Sequence, residues 1–324
     1  MEPLSRDEVG VVLEIVATDL ERIEGLLLEA STAGTPFLTE TASYLTKAGG
    51  KRLRPALLAL SSRLWSECGP RSDATAAAIE LTHLATLYHD DVIDEADVRR
   101  GVPSANGKWG NIVAILVGDY LFARASSIAA DVGGEVPRVL ADAIARVVQG
   151  QVRELEHLYD SGRPLDHYRS TVDDKTGALL EAAVRLGAVL GGCSPEQAEE
   201  LRLFGAAFGM AFQIADDLLD LSATQEELGK APGTDLRDGV YTLPLLYALE
   251  ADPALSEHLG TPNPDVDMVR AAVVRTGAFD RAMAEATTHV DKALACLEGV
   301  PPGPARESLQ RLTRLIIDRV PVLE

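Results

Sequence analysis

Two short acidic clusters carry the chemistry this sequence can support. Asp90-Asp91-Val92-Ile93-Asp94 and Asp216-Asp217-Leu218-Leu219-Asp220 repeat one D-D-x-x-D design. In the first, helical spacing puts His83, Leu87, Asp90 and Asp94 on one face. In the second, Gln213, Asp217 and Asp220 share a face with Asp216 beside them. Like charges four residues apart on a helix repel by about 0.2–0.5 kcal/mol, so a bound cation is the better reason to gather them among apolar neighbours. One copy arises readily by chance or from helix capping; two copies point to metal. Mg²⁺ keeps several waters and binds through one or two carboxylates plus phosphate oxygens, so two facing aspartate sets imply a diphosphate held between them.

A diphosphate also needs cations, and a chain with 30 Lys and Arg against 50 Asp and Glu places them selectively. Gly49-Gly50-Lys51-Arg52-Leu53-Arg54-Pro55 and Arg99-Arg100-Gly101 sit at helix boundaries. Lys51 and Arg54 stand three apart at a helix start, where free N–H groups also favour an anion. Lys175-Thr176 opens an apolar helix, and Lys230 follows Gly229 beyond the second aspartate set. A solvated surface would account for any of these alone. The net charge of −20 repels a phosphate backbone, which excludes nucleic acid as a partner.

These groups must be positioned by helices. Apolar residues recur at three and four, beginning with Val12, Ile15, Val16, Leu20, Ile23 and Leu27, which predicts a helix over 8–30. Further helices are predicted over 53–67, 73–96, 105–130, 136–159, 166–191, 195–222, 241–251, 265–276, 279–297 and 304–319, punctuated by Gly and Pro. No alternating strand pattern persists. The 46% hydrophobic and 5% aromatic composition, rich in Ala and Leu, suits packed helices. An all-α fold in a single domain over residues 1–324 follows, with no repeat or linker to divide it. Cys68, Cys193 and Cys296 are too scattered for a disulfide framework or a thiolate zinc site. The N-terminus lacks a basic-then-apolar leader, and the most apolar run, Ile112 to Val117, is expected to end at Gly118-Asp119, short of a bilayer span. A cytoplasmic protein without a transmembrane segment is expected.

Taken in order, these residues resemble the trans-isoprenyl diphosphate synthases, or polyprenyl synthetases, from about Gly49 to Pro244. The resemblance is carried by GGKRLRP at 49–55, His83, DDVIDEADVRRG at 90–101, Gly118-Asp119, Gly150-Gln151, Lys175-Thr176, FQIADDLLD at 212–220, Gly229-Lys230 and Thr242-Leu243-Pro244. It implies a bundle of long antiparallel helices around a central cavity, and a homodimer. It also implies that Lys51, Arg54, His83 and Arg100 hold isopentenyl diphosphate while Arg99 grips an allylic diphosphate. Asp90 and Asp94 would ligate two Mg²⁺ ions, and Asp216 with Asp220 a third, Mn²⁺ being able to substitute. Lys175, Thr176, Gln213 and Lys230 would face the allylic substrate. One departure stands out: many relatives have Gly-Lys before Thr-Leu-Pro, whereas this chain has Gly239-Val240-Tyr241, which is expected to weaken allylic binding.

The implied reaction is ionisation of an allylic C–O bond, attack by the alkene of isopentenyl diphosphate, and proton loss to the departing diphosphate. Preplaced charge lowers its barrier by stabilising the leaving anion, and oxygen lone pairs of Gln213 and Thr176 can face the cation. Product length should follow the residues before Asp90 on its own helix. Ala85 and Thr86, then Leu81 and Thr82, then Ala77 and Ala78 lie one, two and three turns back, each turn of about 5.4 Å matching roughly one isoprene unit. Small residues at Ala85 and Thr86 resemble the long-chain members, implying about thirty to fifty carbons, one added unit per turn. The alternatives are a short-chain synthase, making about C15–C20 by the same measure, or a noncatalytic subunit of a heteromeric synthase. A di-iron reading of Glu80-x-x-His83 and Glu154-x-x-His157 leaves the basic motifs unexplained. A terpene cyclase would not carry GGKRLRP or a second aspartate triplet. His89 is read as a packed histidine.

Overall fold

The computed structural model describes residues 10, 12–223, 232–261, 264–321 and 323. Helices α1 (Ala17–Ala30), α2 (Pro36–Ala42), α3 (Tyr44–Lys47) and α4 (Leu53–Ser62) lead into the long α5 (Pro70–Ile93). A short ribbon is followed by α6 (Ala105–Trp109), α7 (Asn111–Val132), α8 (Val136–Leu155) and α9 (Leu165–Val172). A π-helical turn, Asp173–Gly177, joins α9 to α10 (Ala178–Gly191). Then come α11 (Pro195–Ser222), α12 (Thr234–Arg237), α13 (Leu243–Ala251), α14 (Val266–Arg275), α15 (Ala278–Cys296) and α16 (Pro304–Asp318).

Local chemistry sets the boundaries. Pro70 and Pro195 occupy first-turn positions where the missing N–H costs nothing, and Ser194 with Gln197 forms a capping box at the start of α11. Several expectations need correcting. The helix expected over 53–67 stops at Ser62. Gly110, at φ 85°, divides the one expected over 105–130. Where no strand was expected, Val98–Arg99 pairs antiparallel with Val102–Pro103. That ribbon comes from its turn: Arg100 at φ 54° and Gly101 at φ 75° give the doubly left-handed conformation of a two-residue hairpin, too short to leave an alternating pattern.

The bundle packs by close backbone approach. α5 and α7 run antiparallel, with His89 Nε2 against the Ile115 carbonyl at one end and Arg71 Nη2 on the Val132 carbonyl at the other. Gly118 does not end α7. A Cβ there would stand 2.2 Å from His89 Nε2, so glycine is what lets the helix continue past this contact to Val132. α7 is therefore long and apolar enough, by length and composition, to cross a membrane, but its Gly118, Leu121, Ala125 and Ala129 are buried in the bundle. Ala85, Ala114, Val117 and Leu121 share one core cluster. α10 seats on α4 through Gly187 and Gly191, whose Cβ atoms would fall 2.3 Å from the Leu58 carbonyl and 2.5 Å from that of Ser62. Leu57, Leu58 and Leu60 of α4 are fully buried, each contributing about 1.5–3 kcal/mol.

Candidate active site

The C-terminal end of α5 presents the first aspartate set. Asp90 is half-buried and Asp94, the C-cap, is exposed, while Asp91 turns inward and accepts from Arg99 Nε at 2.6 Å. Burial, reinforced by the charge of Asp94, pushes the Asp90 carboxyl up to about 6 against the pull of Lys175 and Arg99. The second set closes α11. Asp216 is half-buried; Asp217 and Asp220 are buried. Burial pushes Asp217 up to about 7, although Tyr168 Oη and Gln213 Nε2 both donate to it. Asp220 Oδ2 accepts from the Asp235 backbone N–H at 3.2 Å, which ties α12 to the site.

The π turn joins the two sets. Lys175 donates to Glu154 on α8 and faces Asp90 and Asp94, whereas its neighbour Thr176 donates to Gln213 Oε1 at 2.8 Å. Adjacent residues thus serve opposite walls. π turns are rare, and this one is clamped from α8. Arg146 donates to Asp174 Oδ1 at 2.8 Å, Asp173 Oδ2 at 2.8 Å and Glu181 Oε1 at 3.0 Å, while Arg153 holds Asp174 Oδ2 at 2.8 Å. Gly150 makes room, because a Cβ would lie 2.5 Å from the Lys175 nitrogen.

A basic group lies between α4 and α5. Arg52, held left-handed at φ 49°, turns inward to Glu24 (2.7 Å) and Glu80 (3.1 Å), so it organises the loop. Lys51 and Arg54 flank it, both half-buried, and Arg54 Nε is buried without a hydrogen-bond partner among the described residues. Arg100 reaches over from the ribbon to the carbonyls of Leu45 (3.0 Å) and Gly49. Burial, then the charges of Arg54 and Arg100, hold His83 neutral. Arg54, His83 and Arg100 therefore form one cluster.

The donors suit a hard divalent ion. Asp90 and Asp94 offer only carboxylate oxygens, and the buried Asp91 Oδ2 has no hydrogen-bond partner among the described residues. No three His, Cys, Asp or Glu side chains among the described residues form a metal-holding group, so ions here would complete their shells with water and substrate oxygens. The di-iron pairs do not converge: Glu80 is taken by Arg52, and Glu154 by Lys175.

Several groups have no short-range sequence signal. Tyr168 is identified by contact alone, and Glu154, which the sequence offers only as half of a di-iron pair, by its contact with Lys175. Arg319, at the end of α16, lies with its guanidinium 5.0 Å from the Phe212 ring centre, near Asp216, both Nη atoms buried without a hydrogen-bond partner among the described residues. Lys230 lies outside the described residues. Ala85 and Leu81 are fully buried and Thr86 is half-buried. Past them, at the far end of α5, an open pocket of about 350 Å³ is lined by Leu26, Ala30, Ala74, Ala77, Ile128 and Val132 together with the charged Glu29, Arg71, Arg124 and Asp131.

Comparison with known proteins bears on all of this. Residues 35–275 match the Polyprenyl synthetase family. The chain is 42% identical over 322 residues to the nonaprenyl diphosphate synthase of Mycobacterium tuberculosis, covering 96% of this chain and 95% of that one. It is 34% identical over 323 residues to the octaprenyl diphosphate synthase of Escherichia coli, covering 94% and 97%. The crystal structure of a decaprenyl diphosphate synthase from Rhodobacter capsulatus superposes with a TM-score of 0.91 at 34% identity, covering 97% of this chain and 100% of that one.

Proposed function

The chain belongs to the polyprenyl synthetase family, as a prenyltransferase of the medium- to long-chain class, and we propose that it condenses isopentenyl diphosphate with an allylic diphosphate as a cytoplasmic homodimer. The observation that carries the proposal is the π turn, which directs Lys175 to the first aspartate set and Thr176, with Gln213, to the second. In this reading Lys175, Arg99 and Lys230 hold the allylic diphosphate, and Lys51, Arg54, His83 and Arg100 hold isopentenyl diphosphate. Asp90 and Asp94 would hold two Mg²⁺ ions and Asp216 with Asp220 a third, and the metal would supply charge neutralisation to the leaving diphosphate.

The protein's own groups do the rest. Lys175 and Arg99 stabilise the diphosphate as the allylic C–O bond breaks. Thr176 Oγ1 faces the carbocation, oriented by its hydrogen bond to Gln213. The alkene of isopentenyl diphosphate attacks, and the proton from its C2 leaves with the departed diphosphate. The tail then runs back along α5, past Ala85 and Leu81, to the distal pocket beside Ala77. Thirteen residues at 1.5 Å each separate Ala77 from Asp90, about 20 Å, which holds three to four isoprene units at one per turn, so a tail of about thirty to fifty carbons has to extend beyond Ala77.

The homodimer reading is supported by apolar faces on α7 and α8. Ile112 (76% exposed) and Leu116 (60%) share one face of α7, and Val148 and Val152 (both 52%) one face of α8, apolar surface that a second copy would cover. The decisive experiment incubates the purified chain with isopentenyl diphosphate, Mg²⁺ and a series of allylic primers, then separates the products. Long all-trans polyprenyl diphosphates are expected; no product from the chain alone would favour a noncatalytic subunit, and short products a short-chain synthase.

A further inference from the structure

Arg163, two residues before α9, is only 5% exposed. A buried guanidinium is costly unless a counter-charge sits against it. Elsewhere in this chain Arg52, Arg146 and Arg169 each grip carboxylates. Arg163 does not. Its Nε donates to His167 Nδ1 at 3.1 Å and its Nη1 to the Tyr241 carbonyl at 3.2 Å, both neutral acceptors. Burial, then the charge of its neighbours, keeps His167 uncharged. Nη2 is buried with no hydrogen-bond partner among the described residues.

The acidic groups whose field reaches this guanidinium are Glu154, Asp217 and Asp160, and each is already engaged. Glu154 accepts from Lys175, Asp217 from Tyr168 and Gln213, and Asp160 from His157 Nδ1 and the Gly162 N–H. The guanidinium sits 5.6 Å from the centre of the Tyr168 ring, whose hydroxyl is on Asp217. A positive charge with an unused donor is thus buried against the Tyr168 ring, within the field of Glu154 and Asp217, and no carboxylate among the described residues completes it.

We propose that Arg163 is a further diphosphate-binding residue, completed by the allylic diphosphate when it enters between Lys175 and the second aspartate set. This rests on the placement of that diphosphate given under Proposed function. Arg163 also bonds the carbonyl of Tyr241, the chain neighbour of Val240, the position at which many relatives carry a lysine. The chain supplies from α9's N-terminal side what residue 240 does not.

Two substitutions separate charge from hydrogen bonding. Arg163→Gln keeps a donor for the Tyr241 carbonyl and loses the charge; Arg163→Lys keeps the charge. Titration calorimetry with inorganic pyrophosphate and Mg²⁺ is expected to show about tenfold weaker binding for Arg163→Gln, the effect of one charge-assisted hydrogen bond, and a change of no more than about threefold for Arg163→Lys. The KM for the allylic substrate should rise with the pyrophosphate constant while that for isopentenyl diphosphate stays put. Val240→Lys added to Arg163→Gln should recover most of the loss. Wild-type pyrophosphate affinity in Arg163→Gln overturns the proposal. So does an equal loss for both substrates with a lowered Tm that neither lysine repairs, since that is the behaviour of a purely structural arginine. If the wild-type chain makes no polyprenyl product, the underlying reading fails; if it does and Arg163→Gln is silent, only this inference fails.

Discussion

The Thr176 hydroxyl donates to Gln213 Oε1 at 2.8 Å, and the direction of that bond is fixed, because Gln213 Nε2 is committed to Asp217 Oδ1 at 2.9 Å. On sequence alone both oxygens are equivalent candidates to face a carbocation. In the structure Gln213 spends a lone pair on orienting Thr176, whose own lone pairs then point away from their donor's target.

Thr176→Val keeps the volume and removes that oxygen. We expect kcat to fall about ten- to hundredfold, or 1.4–2.8 kcal/mol of barrier, with the allylic KM little changed. Thr176→Ser should be close to wild type. A parallel rise in KM would make Thr176 a substrate-holding group instead.

Asp90, at about 6, and Asp217, at about 7, both have carboxyls raised above their unfolded values, burial being the first cause in each. The folded state therefore holds these protons more tightly than the unfolded chain. Their contribution to stability is complete below the unfolded value and is lost as pH rises through 6 to 7. In chelator, Tm should fall between pH 5.5 and 8 on this account, and Asp90→Asn should flatten part of that slope without lowering Tm at pH 8. The same variant should lose at least about a hundredfold in turnover with Mg²⁺ present, as a metal ligand would. A chelator-treated protein that gains stability from pH 5.5 to 8 contradicts this.

Much of this was legible in the sequence because it repeats at helical spacing. The predicted and observed limits of α11 agree, since Pro195 and the Ser194 cap mark its start and Asp220 lies near its end. Both aspartate sets, Lys175, Thr176 and the 49–55 loop were legible as well. What was not legible depends on partners remote in sequence. Asp173–Gly177 carries no marker of a π turn; the turn is held by Arg146, which is 27 residues from Asp173. Arg99 reads as a diphosphate cation, yet its Nε is spent on Asp91, because the ribbon that folds it back is two residues long on each side. Arg319 is more than a hundred residues from Phe212 in the chain, so only packing brings them together.

Ala85 is fully buried beside α7, in the same core cluster as Ala114, Val117 and Leu121. If the tail passes it, Ala85→Phe should block the path and shift products to about fifteen or twenty carbons, one turn of helix per isoprene unit, at near-normal condensation rate. Overpacking should lower stability by about 1–3 kcal/mol. Chromatography of the products decides: long products from a folded variant would mean that Ala85 is small only to let α7 approach.

Ile112 and Leu116 lie on the exposed apolar face of α7. A double change to Asp should convert a dimer to a monomer in size-exclusion chromatography with light scattering, while the far-UV helix signal is retained. A wild-type monomer at micromolar concentration would remove the dimer from the reading.

The π turn also fixes how the chain can change over time. α9 must aim Tyr168 at Asp217, and α10 must lay Gly187 and Gly191 against the backbone of α4. One residue of α-helix turns the chain by about 100°, so the surplus residue in the turn is what lets both ends face their targets at once. The two helices are keyed on one shaft. Losing a residue anywhere between 173 and 177 would restore an ordinary helix and swing one end off its partner. The segment is thereby guarded against changes of length more strictly than against changes of side chain.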